Sequence, residues 1–372
     1  MGGELTEFLK KSSPQIEDIV NGMFDWVRVL DMNDNVIYMK KAMSDALGQP
    51  QVGRKCYELI GRTAPCMNCT SRKSIFDGFT HEKEEMISGR IFSVMSSPIR
   101  NAEGSIIAAV EVLRETTQIK QLYQEMRRQN EKFRGELDLA RKLQASLLPG
   151  PLADNRLDFS LLFLPCESLG GDFLDIFKID SSHIGLYIAD VSGHGVPASL
   201  LTVFLRSTLN KKQPSPAKAL EELYHEFNQS KLDDEMYITI FYAIIDLDKK
   251  TMLYSNAGLN VSPIVYSDTR FDLLRLPGIP ISNWTDKPCY RDNQIELQSG
   301  DKLFLYTDGI LELRNRQNEQ YGEERLVNIL LNDTSKPKQL LLHIKKSVFQ
   351  FAGIKSAAGI QDDITMGLLE MK

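Results

Sequence analysis

Four aspartate motifs in the last two-thirds of the chain constrain its fold more than anything else in the sequence. They are Gly170-Gly171-Asp172, Asp190-Val191-Ser192-Gly193-His194-Gly195, Thr307-Asp308-Gly309 and Asp362-Asp363-Ile364-Thr365. Apolar, strand-like runs precede three of them: residues 186–189 before Asp190, 303–307 before Asp308, and 161–165 shortly before Asp172. A carboxylate at the tip of a buried strand is carried on stiff backbone and aimed by it. Several such tips meeting in one place make an oxygen-rich pocket, the environment that Mg²⁺ or Mn²⁺ takes. Each motif alone says little, because Asp-Gly is a common turn dipeptide. The set and its order carry the information.

Composition narrows the class. At 372 residues the chain has room for two or three domains, at about 150 residues each. With 42% hydrophobic and 25% charged residues it reads as an ordinary globular protein. A formal charge of -6 argues against a nucleic-acid surface covering the whole molecule. No apolar run approaches the ~20 residues that span a bilayer, and Met1-Gly2-Gly3-Glu4-Leu5-Thr6 has no signal-peptide core. Gly2 with Thr6 fits a myristoylation pattern only superficially. Five cysteines are an odd and sparse set, which speaks against a secreted disulfide framework. The expected compartment is the cytoplasm, with neither membrane nor nucleic acid as a partner.

The first part of the chain alternates short apolar runs with turns. Residues 26–32 and 36–40 flank Asn33-Asp34-Asn35 and predict a hairpin. Helical patterns follow at 41–47 and 71–76, then strands at 90–99 and 105–113 joined through Asn101-Ala102-Glu103-Gly104. Two strands, short helices and a closing antiparallel pair resemble a PAS sensor domain over residues 10–114, with an unknown ligand. A small structural α+β domain is the competing reading. Cys56, Cys66 and Cys69 form a three-cysteine constellation here, able to hold zinc or an iron–sulfur cluster given a fourth ligand, with His81 the nearest candidate. Reduced thiols, or a redox-sensitive pair, compete with that reading. Cys166 and Cys289 stand apart and are read as structural.

Residues 115–148 predict a helical connector. Ile119, Met126, Phe133, Ala140 and Leu147 recur every seven residues, with Leu122 and Leu143 at the offset positions. Gln129 and Glu136 interrupt the apolar seam, and Gly135 lowers helix preference by ~1 kcal/mol. A coiled coil that makes a homodimer is one expectation; a solvated single helix is the other.

Strands are expected at 157–164, 173–179, 184–189, 237–247, 251–257, 301–306 and 364–370, and helices at 197–209, 216–229, 322–331 and 337–351. Strands come in meandering runs, so the sheets should be mostly antiparallel. The four motifs in this order resemble the PPM (protein phosphatase 2C-like) serine/threonine phosphatases, in the branch of stage II sporulation protein E and the sigma-B regulators. Further matching stretches are Ala140-Arg141-Lys142-Leu143-Gln144-Ala145-Ser146-Leu147-Leu148-Pro149, Tyr254-Ser255-Asn256-Ala257-Gly258 and Tyr321-Gly322-Glu323-Glu324-Arg325-Leu326. Where many relatives place a histidine after Asn-Ala-Gly, this chain has Leu259, so that loop is assigned no catalytic role. The resemblance implies an α+β chain whose residues 152–372 form two stacked antiparallel β-sheets flanked by helices.

The resemblance also implies chemistry. Two Mn²⁺ or Mg²⁺ ions would lower the pKa of a shared water and neutralise phosphoryl oxygens. Asp190 would bridge both ions, the Val191 carbonyl would complete one site, Asp308 and Asp362 would bind the other, and Asp172 would act through or beside metal-bound water. Asp172 and Asp190 are thus the expected catalytic pair. His194 is either a general acid or a positive contact for phosphate or protein. The implied substrate is a phosphorylated anti-anti-sigma-type regulator. A degenerate phosphatase serving as a scaffold and a metal phosphohydrolase acting on a nucleotide are the alternatives. Cys66 and Arg72 have the spacing of covalent tyrosine phosphatases, but no glycine lies between them to bare N–H groups to phosphate. Phe173 stands where a diguanylate cyclase needs a second acid, and no Gly-x4-Gly-Lys phosphate loop is present.

Overall fold

The computed structural model describes residues 14–48, 51–150, 152 and 154–372. The Gly2/Thr6 pattern and the expected domain start at residue 10 lie outside them. The chain divides into two compact units, Met1–Lys132 and Phe133–Lys372, and no helix among the described residues is long and apolar enough to cross a membrane.

The first unit holds α1 (Pro14–Gly22), β1 (Trp26–Asp31), β2 (Val36–Met39), α2 (Lys41–Leu47), α3 (Thr70–Asp77), β3 (His81–Ile87), β4 (Arg90–Arg100) and β5 (Ile106–Glu115). Its antiparallel sheet runs β2-β1-β5-β4-β3. The β1–β2 turn is built as its sequence suggests. The Asp31 carboxylate accepts from the backbone N–H of Asn33 and Asn35, both at 2.8 Å, and Asp34 takes φ 66°. Strand β3 is not legible in the sequence. His81-Glu82-Lys83-Glu84-Glu85 offers almost no apolar signal, because the strand lies at a sheet edge, where charged side chains discourage further pairing. Leu30, Val36, Met43, Phe92, Val94 and Leu113 form the core. Beside it Arg28 and Glu111 make a buried ion pair at 2.7 Å, to which Ser96 adds a 2.9 Å hydrogen bond.

The expected zinc or iron–sulfur site at Cys56, Cys66 and Cys69 finds no support. Among the described residues no group of three or more His, Cys, Asp or Glu side chains is arranged to hold a metal ion. The cysteines do border one small cavity, but Arg28 and Lys83 line it too, and cations oppose a metal. The Arg62 guanidinium donates to Cys66 Sγ at 2.9 Å, Cys69 Sγ is 3.1 Å from Ser71 Oγ, and His81 is occupied by Asp77 at 2.7 Å. Burial pushes the Cys56 thiol up to about 12, so it stays protonated.

A single helix, α4, covers Thr117–Leu147 without a break at Gly135. Ile119, Leu122, Met126, Phe133 and Leu143 are each more than half exposed, whereas Ala140 is half-buried and Leu147, at the end of the seven-residue seam, packs against the core.

The second unit continues with β6 (Leu157–Leu164), β7 (Asp172–Lys178), β8 (His183–Val191), α5 (Gly195–Thr208), α6 (Pro216–Gln229), β9 (Ile238–Asp246) and β10 (Thr251–Ala257). Then come β11 (Ile264–Ser267), β12 (Arg270–Leu273), β13 (Asn293–Glu296), β14 (Lys302–Tyr306), α7 (Gly309–Glu312), α8 (Glu323–Asn332), α9 (Pro337–Ala352) and β15 (Ile364–Met371). Two five-stranded antiparallel sheets result, β13-β10-β9-β8-β7 and β12-β11-β14-β15-β6. Strand periodicity sorts the core. Leu174, Ile176, Leu186 and Ile188 join Leu303, Leu305, Met366 and Leu368 between the sheets. Their odd-numbered neighbours Phe173, Tyr187, Ala189 and Val191 pack with Ala198, Leu201, Leu205 and Leu223 of α5 and α6. Helix α6 opens with Ser215 as its cap, accepting from Lys218 N at 3.2 Å, and with proline in its first turn. Leu326, Leu330, Leu340, Ile344 and Val348 of α8 and α9 belong to the same cluster as the second sheet. Antiparallel sheets flanked by helices are the α+β architecture expected of residues 152–372.

Candidate functional site

The same periodicity fixes the site. Asp172 and Asp190 are cross-strand partners in β7 and β8, and both have the parity of the residues that face the other sheet. From that sheet come Asp308, two residues after the end of β14, and Asp362 with Asp363, directly before β15. Thr307 closes the gap, its hydroxyl donating to Asp172 Oδ2 at 2.7 Å. One expectation needs correcting. The apolar run at 161–165 does not lead Asp172 to the site as its own strand: it forms β6, in the other sheet, and Asp172 is the first residue of β7.

The loop between those strands is therefore what places Asp172, and two buried side chains grip it. Asp363 accepts from Cys166 N at 2.7 Å and, through its other oxygen, from Gly171 N at 2.5 Å and Asp172 N at 3.4 Å. From α4, Gln144 donates to the Gly170 carbonyl at 2.7 Å and accepts from its N–H at 3.1 Å. Neither role is visible in sequence. The Asp362-Asp363 doublet stands out, but nothing in it separates a pocket carboxylate from a backbone clamp. Two glycines stand at close contacts, one tight and one that admits no side chain. A Cβ at Gly171 would sit 3.1 Å from the Val191 carbonyl and 3.2 Å from that of Gly193. At Gly309 it would lie 2.0 Å from the Asp363 carbonyl, so no side chain fits there.

Electrostatics mark the cluster. Burial, followed by the charges of Asp190 and Asp363, pushes Asp172 well above the usual carboxylate range. Asp190 is raised to about 8 by burial and then by Asp308, Asp362 and Asp363. Asp362 is raised by burial, with Asp308, Asp363 and Glu312 adding to it against a hydrogen bond from Asp363 N. Every charge named in these shifts is a carboxylate. Half-buried Asp308 accepts from Asn260 Nδ2 at 2.6 Å. Asn260 follows Leu259 and was not foreseen; Asn256 orders that loop, accepting from Leu259 N at 3.1 Å. His194 is exposed, with its Nδ1 2.9 Å from the Glu167 carboxylate.

As they stand, the aspartates too are not arranged to hold a metal ion. Their chemistry nonetheless suits a hard divalent cation: the donors are all oxygens, and burial followed by neighbouring carboxylates raises Asp172, Asp190 and Asp362, a cost that a bound cation would offset. This is the reverse of the cysteine cavity, where cations already stand.

Residues 180–372 match the family described as Stage II sporulation protein E (SpoIIE). The chain is 29% identical over 185 residues to phosphoserine phosphatase RsbP of Bacillus subtilis (strain 168), a match covering 48% of this chain and 45% of that protein. It is 26% identical over 260 residues to phosphoserine phosphatase RsbU of the same organism, covering 68% and 75%. The chain thus spans less than half the length of RsbP. The SiaA-PP2C domain of Pseudomonas aeruginosa superposes with a TM-score of 0.57 at 21% identity, over 65% of this chain and 98% of that one. At that identity the likeness is one of fold.

Proposed function

The chain belongs to the stage II sporulation protein E family, and on that premise we propose that it is a metal-dependent protein serine/threonine phosphatase controlled by a PAS-like sensor. The observation that carries this reading is the meeting of Asp172, Asp190, Asp308 and Asp362 from two sheets, with only carboxylate charge acting on Asp190. A scaffold has no use for buried charges that repel one another, which disfavours a degenerate, non-catalytic role.

Asp190, the Val191 carbonyl, Asp308 and Asp362 would hold two Mn²⁺ or Mg²⁺ ions, with Asp172 at or beside them. Bound there, such ions supply positive charge to the phosphoryl group and an activated water. The rest is done by the chain itself. The Thr307 hydroxyl fixes one Asp172 oxygen, Asp363 and Gln144 hold the loop that presents Asp172, and Asn260 fixes an Asp308 oxygen. Gly171 lets the Val191 and Gly193 carbonyls come close.

For the first unit, the five-stranded antiparallel sheet with helices inserted between β2 and β3 supports a PAS-like sensor with an unknown ligand. The exposed seam of α4 supports a coiled-coil homodimer. The substrate is inferred to be a phosphoserine- or phosphothreonine-bearing regulator of the anti-anti-sigma type, and the compartment the cytoplasm. Phosphate release from a phosphoserine peptide, compared with release from nucleoside triphosphates, tests the assignment. Mn²⁺-dependent, EDTA-sensitive turnover of the peptide is expected; turnover confined to nucleotides would replace this reading with a nucleotide phosphohydrolase.

A further inference from the structure

An exposed tryptophan is held still beside the Asp190 loop. Trp284 lies between β12 and β13 and is 60% exposed. Its indole N–H donates to the Asp234 carbonyl at 3.1 Å, and its ring centroid is 5.1 Å from that of Tyr237. The preceding Asn283 donates to the Asp234 carboxylate at 2.5 Å. The flanking backbone is anchored as well. Ile281 and Ile238 exchange two hydrogen bonds of 2.9 Å, Asn228 donates to the Ser282 carbonyl at 3.3 Å, and the Tyr224 hydroxyl donates to the Thr285 carbonyl. Tyr237 in turn is tied to the site. Ser192 N donates to the Tyr237 carbonyl at 3.0 Å, and Tyr237 N donates to Ser192 Oγ at 2.9 Å, two residues after Asp190.

Leaving much of an indole in water forgoes burial that folding would otherwise gain. Fixing its orientation in addition suits recognition, because a rigid tryptophan is presented at little further entropic cost. The surroundings specify what it would meet. Asp233, Asp234 and Glu235 precede Tyr237, Asp286 follows Trp284, and all four are exposed; Lys287 is the only opposing charge in residues 233–237 and 281–287. A cation placed over the indole face gains from the ring and from the carboxylates together.

We propose that Trp284, with the acidic edge formed by Asp233, Asp234 and Glu235, docks a lysine or arginine side chain close in sequence to the phosphorylated serine or threonine of the substrate protein. This rests on the phosphatase reading above and adds to it a substrate preference.

The test uses the full chain and fluorescently labelled phosphoserine peptides, identical except for arginine, alanine or glutamate at each position flanking the phosphoserine. Binding is read by anisotropy in EDTA, so docking is measured without turnover. Hydrolysis of p-nitrophenyl phosphate with Mn²⁺ reports separately on the phosphatase reading. At one or more flanking positions arginine should bind roughly three- to tenfold tighter than alanine, with glutamate weakest. Trp284→Ala should collapse that ratio towards one, and Trp284→Phe should keep part of it. Glu235→Gln, which leaves the indole in place, should lower the ratio less and make it less sensitive to salt. Equal binding of the arginine and alanine peptides at every position, or an unchanged ratio in Trp284→Ala, would overturn the proposal even where p-nitrophenyl phosphate is hydrolysed.

Discussion

Replacing Asp363 with alanine removes a clamp that leaves the four motif aspartates 172, 190, 308 and 362 in place. Its carboxylate accepts two short hydrogen bonds, from Cys166 N at 2.7 Å and Gly171 N at 2.5 Å, and a long one from Asp172 N at 3.4 Å. A buried donor left unpaired costs about 1–3 kcal/mol. Gly171 N is buried and Cys166 N half-buried, so leaving both unpaired costs about 4 kcal/mol at most, with the long bond adding little. Against this, losing the Asp363 charge relieves its push on Asp172, Asp190 and Asp362. That relief is small near neutral pH, where Asp190, raised to about 8, is already mostly protonated in the metal-free protein. The net loss should be about 3 kcal/mol. For a unit of ~150–250 residues this lowers Tm by about 6–12 °C. Scanning calorimetry in EDTA provides the measurement, with Asp308→Ala as the control. Asp308 grips no backbone, its recorded hydrogen bond being from the Asn260 side chain, so its loss should leave Tm within a few degrees. Equal Tm values for Asp363→Ala and wild type would refute the clamp.

Three further outcomes follow from the same geometry. The folded-state pKa of Asp190, about 8, lies above its ordinary value of ~3.9, so the folded protein keeps a proton that the unfolded chain releases. Its contribution to stability is intact below pH ~4 and lost as pH rises through about 8. Thermal melts in EDTA should therefore show Tm falling over that window, and Mn²⁺ should flatten the fall; identical pH profiles with and without Mn²⁺ would contradict the site. Phe133→Glu puts a charge into the exposed α4 seam and should convert dimers to monomers at micromolar concentration in sedimentation, whereas unchanged dimers would place the contact elsewhere. Removing residues 1–118 should change the Mn²⁺ concentration giving half-maximal activity more than the saturated rate, because Gln144 of α4 holds the Gly170 backbone beside Asp172; equal Mn²⁺ dependence would refute control through this helix.

How much was legible in sequence depended on whether a residue's role was local. Strands β7 and β8 are legible as apolar runs, because both faces are covered: Leu186 and Ile188 face one layer while Tyr187 and Ala189 face another. The aspartate set could be picked out by the order of its four motifs along the chain. Strand β3 could not, because an edge strand of charged residues lacks the apolar period that reveals central ones. The assignment of 161–165 as the approach to Asp172 failed because adjacency in sequence is no guide to sheet membership when a loop crosses between sheets. Asp363, Gln144 and Asn260 act through partners at separations of 191–197, 26 and 48 residues, and no spacing rule reaches that far. The cysteine constellation had plausible metal spacing, yet Arg28 and Lys83 reach its cavity from outside the Cys56–Cys69 stretch, and Arg62 within it turns its guanidinium onto Cys66.

The most direct test of the central claim is phosphate release from a phosphoserine protein by the full chain at saturating Mn²⁺, set beside Asp190→Ala. Asp190 faces Asp172 across the strand pair and feels Asp308, Asp362 and Asp363, so its removal reaches every other aspartate of the cluster. The wild type should turn over only with the metal. Asp190→Ala should lose essentially all activity while its melting curve in EDTA stays at or above that of the wild type, because near neutral pH the folded state no longer has to hold a buried carboxyl protonated that the unfolded chain ionises. Retention of more than a small fraction of wild-type turnover by a folded Asp190→Ala would contradict the account.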